Sequence, residues 1–116
     1  MSGIAQLLLK SGFRVSGSDL KENRVTQQLE GLGAKIFLGH NAQNITSQDV
    51  VVYSSAIGQD NCELRQARSL GIPGIKRAEA LAELMREKTG ITIAGSHGKT
   101  TVTSLISFML MEAGLC

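Results

Sequence analysis

Apolar positions along this 116-residue chain fall in short runs punctuated by single glycines, and the spacing inside the runs alternates between helical and strand-like. Ile4, Ala5, Leu7, Leu8 and Leu9 stand densely enough to predict a helix buried against a sheet, with Gly12 at its C′ position. Phe13-Arg14-Val15-Ser16-Gly17 predicts a short strand after it. Val25, Leu29 and Leu32 recur at helical spacing with Gly33 as the stop signal, and Ala34-Lys35-Ile36-Phe37-Leu38 predicts a second strand. Residues 39 to 48 are polar and loop-like.

The unbroken run Asp49-Val50-Val51-Val52-Tyr53-Ser54 has the pattern of a parallel strand buried on both faces. Asn61 is placed to cap a helix carrying Leu64, Ala67 and Leu70, and Gly71 ends it. Ile72-Pro73-Gly74-Ile75 predicts a strand, and Ala78, Leu81, Ala82, Leu84 and Met85 one more helix. The last unit is a strand at Ile91-Thr92-Ile93-Ala94, a glycine-rich turn and a helix reaching Gly114.

This alternation predicts an α/β fold, a Rossmann-like parallel sheet with helices on both faces. Such a domain opens with a strand and a glycine-rich turn, whereas this chain opens inside a helix. The expectation is a sheet whose first strand is missing. That strand is central in a doubly wound sheet, so its place lies between the strands predicted at Phe13–Gly17 and Asp49–Ser54.

Composition narrows the picture. A 42% hydrophobic content over this length suits one small α/β domain with a real core. The net charge of +2, the scattered lysines and arginines and a total of three Phe and one Tyr argue against a nucleic-acid partner. Cys62 and Cys116 are far apart with no ligand-spaced histidine or cysteine beside them, so both read as free thiols of a reducing compartment. The apolar stretch Ile4–Leu9 is too short to span a bilayer and has no basic segment before it, and the expectation is a cytoplasmic protein without a membrane partner.

The chemistry concentrates in Gly95-Ser96-His97-Gly98-Lys99-Thr100-Thr101, set between an apolar run and a helical pattern. Glycines let backbone N–H groups curl around a phosphate, the helix N-terminus adds partial positive charge, and a lysine reaches the outer phosphates. A lysine opening a helix is repelled by that terminus unless an anion is present, so Lys99 calls for something negative. Thr100 follows the lysine where such loops place a magnesium-holding hydroxyl. The spacing departs from the general phosphate-loop pattern, because Ile93 stands where the first glycine belongs. The competing reading is an ordinary turn entering a helix.

Other candidates lie at carboxyl ends of predicted strands. Asp19 follows a Ser-Gly-Ser turn, where a doubly wound fold presents an acid to a ribose or base; a turn-forming Asp reads equally well. Ser54, Ser55 and Ala56 leave the most apolar strand and are small enough for a ligand to approach, or for a tight turn. Arg77 reaches an anion or pairs with Glu79. His40 sits in the loop after the second strand and His97 in a variable slot of the glycine turn.

Taken in order, Met1–Ala5, Ser16–Asp19, Leu29–Ala34, Gly39-His40, Asp49–Val52 with Ser54–Ile57, Arg77–Glu79 with Leu81–Met85 and the glycine loop resemble the Mur ligases of peptidoglycan synthesis. The resemblance implies an ATP-dependent ligase that phosphorylates the lactyl carboxylate of UDP-N-acetylmuramate and lets the amine of L-alanine displace phosphate. It implies that residues 1–88 form an incomplete UDP-sugar-binding domain and residues 89–116 only the opening of the ATP-binding domain. It places Ser18, Asp19, His40, Ser54, Ser55 and Ala56 on the UDP-sugar, Gly95 to Thr101 on ATP, Lys99 on the transferring phosphoryl group, and Mg2+ on Thr100 or Thr101. Rival expectations are the recycling ligase that adds a tripeptide to the same sugar nucleotide and a non-catalytic nucleotide-binding module. Read as a fragment, the chain alone is expected to lack ligase activity and to bind nucleotide weakly. Ile91–Ala94 is expected to fill the gap of the missing strand, within its own chain or in a swapped homodimer.

Overall fold

The computed structural model describes residues 1–86 and 88–115. The chain divides into two compact units, Met1–Arg86 and Glu87–Cys116. The first runs α1 (Ser2–Lys10), β1 (Ser16–Asp19), α2 (Arg24–Gly31), β2 (Lys35–Leu38), a 3₁₀ turn (Ala42–Asn44), β3 (Val51–Tyr53), α3 (Cys62–Ser69), β4 (Gly74–Lys76) and α4 (Arg77–Met85). The second contains α5 (Lys99–Glu112).

Both ladders are parallel, as helix-length crossovers require. β1 pairs with β2 from Ser16 opposite Lys35 to Asp19 opposite Leu38, and β3 pairs with β4 from Val51 opposite Gly74 to Tyr53 opposite Lys76. The α/β class is as the sequence predicts, but among the described residues the strands form two two-stranded sheets rather than one. The break falls between β1 and β3, the two strands that flank the place predicted for a central strand.

Four of the five described α-helices end in the same way. α1, α2, α3 and α5 each stop at a glycine of positive φ, Gly12, Gly33, Gly71 and Gly114. At each, the glycine N–H and the next residue's N–H close back on the last turn, as Gly12 to Leu9 and Phe13 to Leu8 do after α1. This double closure satisfies carbonyls that a helix end leaves open, and only glycine takes the left-handed conformation there without strain.

The same closures explain why strands start later than the apolar pattern suggests. Phe13 is spent on the end of α1 and is 61% exposed, so the first strand is Ser16–Asp19 and not Phe13–Gly17. Ile72 is likewise tied to Ala67, and Pro73 has no N–H, so β4 begins at Gly74. β3 is shorter than the valine run and only half-buried, because it has a single ladder partner. Ile91–Ala94 is not a strand: a strand needs a partner, and the described ladders are those of β1 with β2 and of β3 with β4.

The core of the first unit is Ile4, Leu29, Ala34, Leu64, Ala67 and Ala80, with Thr26 as its buried polar member. Thr26 is satisfied by a capping box, its hydroxyl accepting from Asn23 N at 3.0 Å and donating to Asn23 O at 2.8 Å. Val25, Leu32, Leu70, Leu81 and Met85, expected on buried helix faces, are exposed. In α4 the inward position falls to Ala80. The thiol of Cys62 is free and exposed, and Cys116 lies outside the described residues.

Leu64, 4% exposed, and Leu81, 42% exposed, give a direct test of this core. Leu64→Ala is expected to destabilise the chain by about 2–4 kcal/mol and Leu81→Ala by about 1 kcal/mol or less, both read from denaturant unfolding.

Candidate functional site

The carboxyl ends of β1 and β2 are joined where Gly39 N donates to Asp19 O at 2.7 Å. This closure carries His40 to the end of β1. Asn41 then caps the 3₁₀ turn, its side chain accepting from Gln43 N at 2.9 Å. Asn61 caps α3, accepting from Glu63 N at 2.9 Å and Leu64 N at 3.4 Å, and so sets Glu63 in the first turn where the helix dipole favours an acid.

These elements converge on the Glu63 carboxylate. Ser18 Oγ donates to Oε2 at 2.6 Å, and His40 Nδ1 lies 3.3 Å from the same oxygen. Asn44 Nδ2 donates to Oε1 at 2.7 Å and Asn41 N at 3.4 Å. Ser18 Oγ and His40 Nδ1 are themselves 2.9 Å apart. The side chains of His40 and Glu63 are 23% and 13% exposed, so the cluster is mostly withdrawn from water with one ring still reachable.

Of the residues expected on a sugar nucleotide, Ser18 and His40 are therefore in direct contact. Asp19, the next residue of an alternating strand, is turned elsewhere. It accepts from Lys21 N at 3.2 Å, the turn-forming role, and lines a cavity of about 160 Å³ with Lys21, Glu22, Thr26, Glu30 and Phe37. Ser54, Ser55 and Ala56 leave β3 in a turn in which Ser54 Oγ accepts from Ala56 N at 3.2 Å, and no hydrogen bond links them to the Ser18 cluster. Arg77 does not pair with Glu79; among the described residues Arg86 pairs with Glu83, and His40 approaches Glu63 through Nδ1. Residues two apart on a helix do not face each other.

Glu63, Asn41 and Asn44 escaped the sequence reading. The first-turn acid after a capping asparagine is visible in the sequence, but that pattern reads as helix capping. Nothing in separations of 22 and 45 residues places His40 or Glu63 beside Ser18.

In the second unit, Gly98 precedes α5 in the left-handed conformation at φ +76, and no side chain caps the helix. Lys99 Nζ folds back to donate to Gly95 O at 2.5 Å, so its ammonium lies within the glycine turn. Thr103 and Ser104 give their hydroxyls to the carbonyls of Lys99 and Thr100, whereas the hydroxyls of Thr100 and Thr101 make no such bond. Ser96 and His97 fill the turn between Gly95 and Gly98. Free hydroxyls are hard oxygen donors suited to magnesium, but no acidic group joins them in a metal cluster among the described residues. Such a set fits a cation whose other ligands are phosphate oxygens and water.

A parallel α/β unit followed by a glycine turn that opens a helix is the class these elements define. Residues 1–89 match the Mur ligase family, catalytic domain, and the chain belongs to the Mur ligase family. It is 59% identical over 98% of its length to a UDP-N-acetylmuramate--L-alanine ligase of Persephonella marina, and spans about a quarter of that relative, 25%. In structure it resembles the UDP-N-acetylmuramate-alanine ligase of Thermotoga maritima, with a TM-score of 0.90 at 31% identity, covering 96% of this chain and 26% of that one. It also resembles the UDP-N-acetylmuramate:L-alanyl-gamma-D-glutamyl-meso-diaminopimelate ligase of Neisseria meningitides, with a TM-score of 0.89 at 32% identity, covering 99% and 37%. No helix of the described residues is long and apolar enough to cross a membrane.

The capping role of Asn61 is separable from the rest of the cluster. Asn61→Ala is expected to cost about 0.5–2 kcal/mol, while Asn61→Ser or Asn61→Asp retains most of it. Thermal unfolding of the three variants measures the difference.

Proposed function

We propose that this chain is the UDP-sugar-binding segment and the start of the ATP-binding segment of a cytoplasmic ligase of peptidoglycan synthesis that joins L-alanine to UDP-N-acetylmuramate. The observation that carries this reading is the 59% identity with an L-alanine ligase across 98% of the chain, glycine loop included. Residues 1–88 hold the uridine diphosphate end, with Ser18 and His40 at its centre and Asp19, Ser54, Ser55 and Ala56 at its margins. Residues 89–116 supply Gly95–Thr101 for the phosphates of ATP, with Thr100 or Thr101 toward Mg2+.

Lys99 carries the chemical role. In the folded loop its ammonium is held by one carbonyl at 2.5 Å, a neutral partner that an incoming phosphate displaces readily. Once turned to the phosphates, it offsets the charge that develops as the lactyl carboxylate takes the γ-phosphoryl group and ADP leaves. The amine of L-alanine then attacks the acyl phosphate, and inorganic phosphate departs. The three-quarters of the relatives' length that this chain does not span is taken to supply the amine site and the remaining ATP contacts.

The structural likeness to the tripeptide ligase is nearly as close, so amine choice needs its own test. In an intact ligase carrying this segment, phosphate release is expected to require UDP-N-acetylmuramate and L-alanine. Replacing L-alanine by L-alanyl-γ-D-glutamyl-meso-diaminopimelate should abolish it, and activity with the tripeptide alone would overturn the L-alanine assignment. Lys99→Ala is expected to lower kcat by roughly 10²–10³-fold. Calorimetry on the 116-residue chain should detect weak binding of UDP-N-acetylmuramate, and preference for a nicotinamide dinucleotide would refute the sugar-nucleotide reading.

A further inference from the structure

The contacts of Glu63 determine where the protons of its neighbours lie. Ser18 Oγ is 2.6 Å from Glu63 Oε2, the length of a hydroxyl donating to a carboxylate. A serine hydroxyl has one proton, so across its 2.9 Å contact with His40 Nδ1 the oxygen of Ser18 accepts. Nδ1 must then carry hydrogen, and the carboxylate 3.3 Å away favours the same arrangement. A neutral imidazole has one N–H, so Nε2 is left with a lone pair and has no hydrogen-bond partner among the described residues. This is the reverse of the tautomer that an unconstrained histidine favours.

We propose that Glu63, acting through Ser18, is a positioning residue that holds His40 as the Nδ1–H tautomer, so that Nε2 accepts a hydrogen bond from an N–H or O–H donor of a bound uridine nucleotide. The ligand half of this proposal rests on the sugar-nucleotide reading; the tautomer half does not. The arrangement is the inverse of a Ser-His-acid nucleophile, in which the histidine lies between serine and acid and takes the serine's proton. Here the serine lies between and gives its proton to the acid, so Ser18 is not activated for attack.

The opposite oxygen of the carboxylate makes the proposal sharply testable. Oε1 faces two donors, Asn44 Nδ2 at 2.7 Å and Asn41 N at 3.4 Å. In Glu63→Gln the carbonyl oxygen stays toward those donors and the NH2 group turns to Ser18, which must now accept. The serine proton then swings to His40 Nδ1, and the ring becomes the Nε2–H tautomer. Ser18→Ala, which leaves only the 3.3 Å contact, should give a mixture of the two forms.

The test is a long-range ¹H–¹⁵N spectrum of the chain carrying His97→Gln, which removes the other imidazole, recorded at about pH 8.5, above the ordinary histidine range. The expected results are Nδ1–H with Glu63 present, Nε2–H in Glu63→Gln, a mixture in Ser18→Ala, and a shift of the Nε2 resonance on titration with UDP. UDP affinity should fall about 5- to 30-fold in Glu63→Gln, the loss of one hydrogen bond. Nε2–H with both Glu63 and Ser18 in place would overturn the proposal, as would an unchanged Nδ1–H in both variants. UDP that binds without moving the Nε2 resonance would overturn its ligand half. If UDP fails to bind while the tautomer still reverses in Glu63→Gln, the sugar-nucleotide reading fails and the positioning role of Glu63 stands.

Discussion

The first unit depends on one carboxylate. Its two parallel sheets share no ladder, so backbone hydrogen bonds do not join β1–β2 to β3–β4. α3 bridges them: its inner face, Leu64 and Ala67, supplies core beside β4, while its first turn projects Glu63 to the ends of β1 and β2. Hydrogen bonds from Ser18, Asn44 and Asn41 thus tie one sheet to the helix that covers the other. A partly withdrawn carboxylate is costly unless its lone pairs are met, and here donors from β1 and from the 3₁₀ turn meet them. The same carboxylate that ties the halves together also lies against Ser18 and the ring of His40.

A second constraint sets where each element begins. Helix carbonyls left open at a C-terminus must be closed, and four helices close them with glycine in the left-handed conformation. The closure consumes the N–H of the residue that follows, at Phe13, Ala34, Ile72 and Leu115. Strands therefore start only after those residues. This is why apolar residues just past each glycine count toward a strand by pattern and yet stand outside the ladder.

The glycine loop obeys different rules from the Ser18 cluster. The cluster is preassembled, with every polar group of Glu63 engaged. The loop instead opens an uncapped helix and holds Lys99 on its own backbone. The two differ physically: the cluster is a fixed polar constellation, whereas Lys99 is held by a single neutral backbone partner.

The sequence alone determined the α/β alternation, the parallel pairing, the glycine stops and the Asn61 cap, because each is written in neighbouring residues and short-range backbone chemistry. It also carried the family, through the ordered series from Met1–Ala5 to the glycine loop, and it named Ser18 and His40. Tertiary structure decided the rest. Which leucines are buried depends on what lies opposite them, so Leu64 is core while Leu70 and Leu81 are not. Ile91–Ala94 has the composition of a strand, but strand formation requires a partner that local composition cannot supply. The meeting of Ser18, His40 and Glu63 across 22 and 45 residues is a product of packing, which no local pattern encodes.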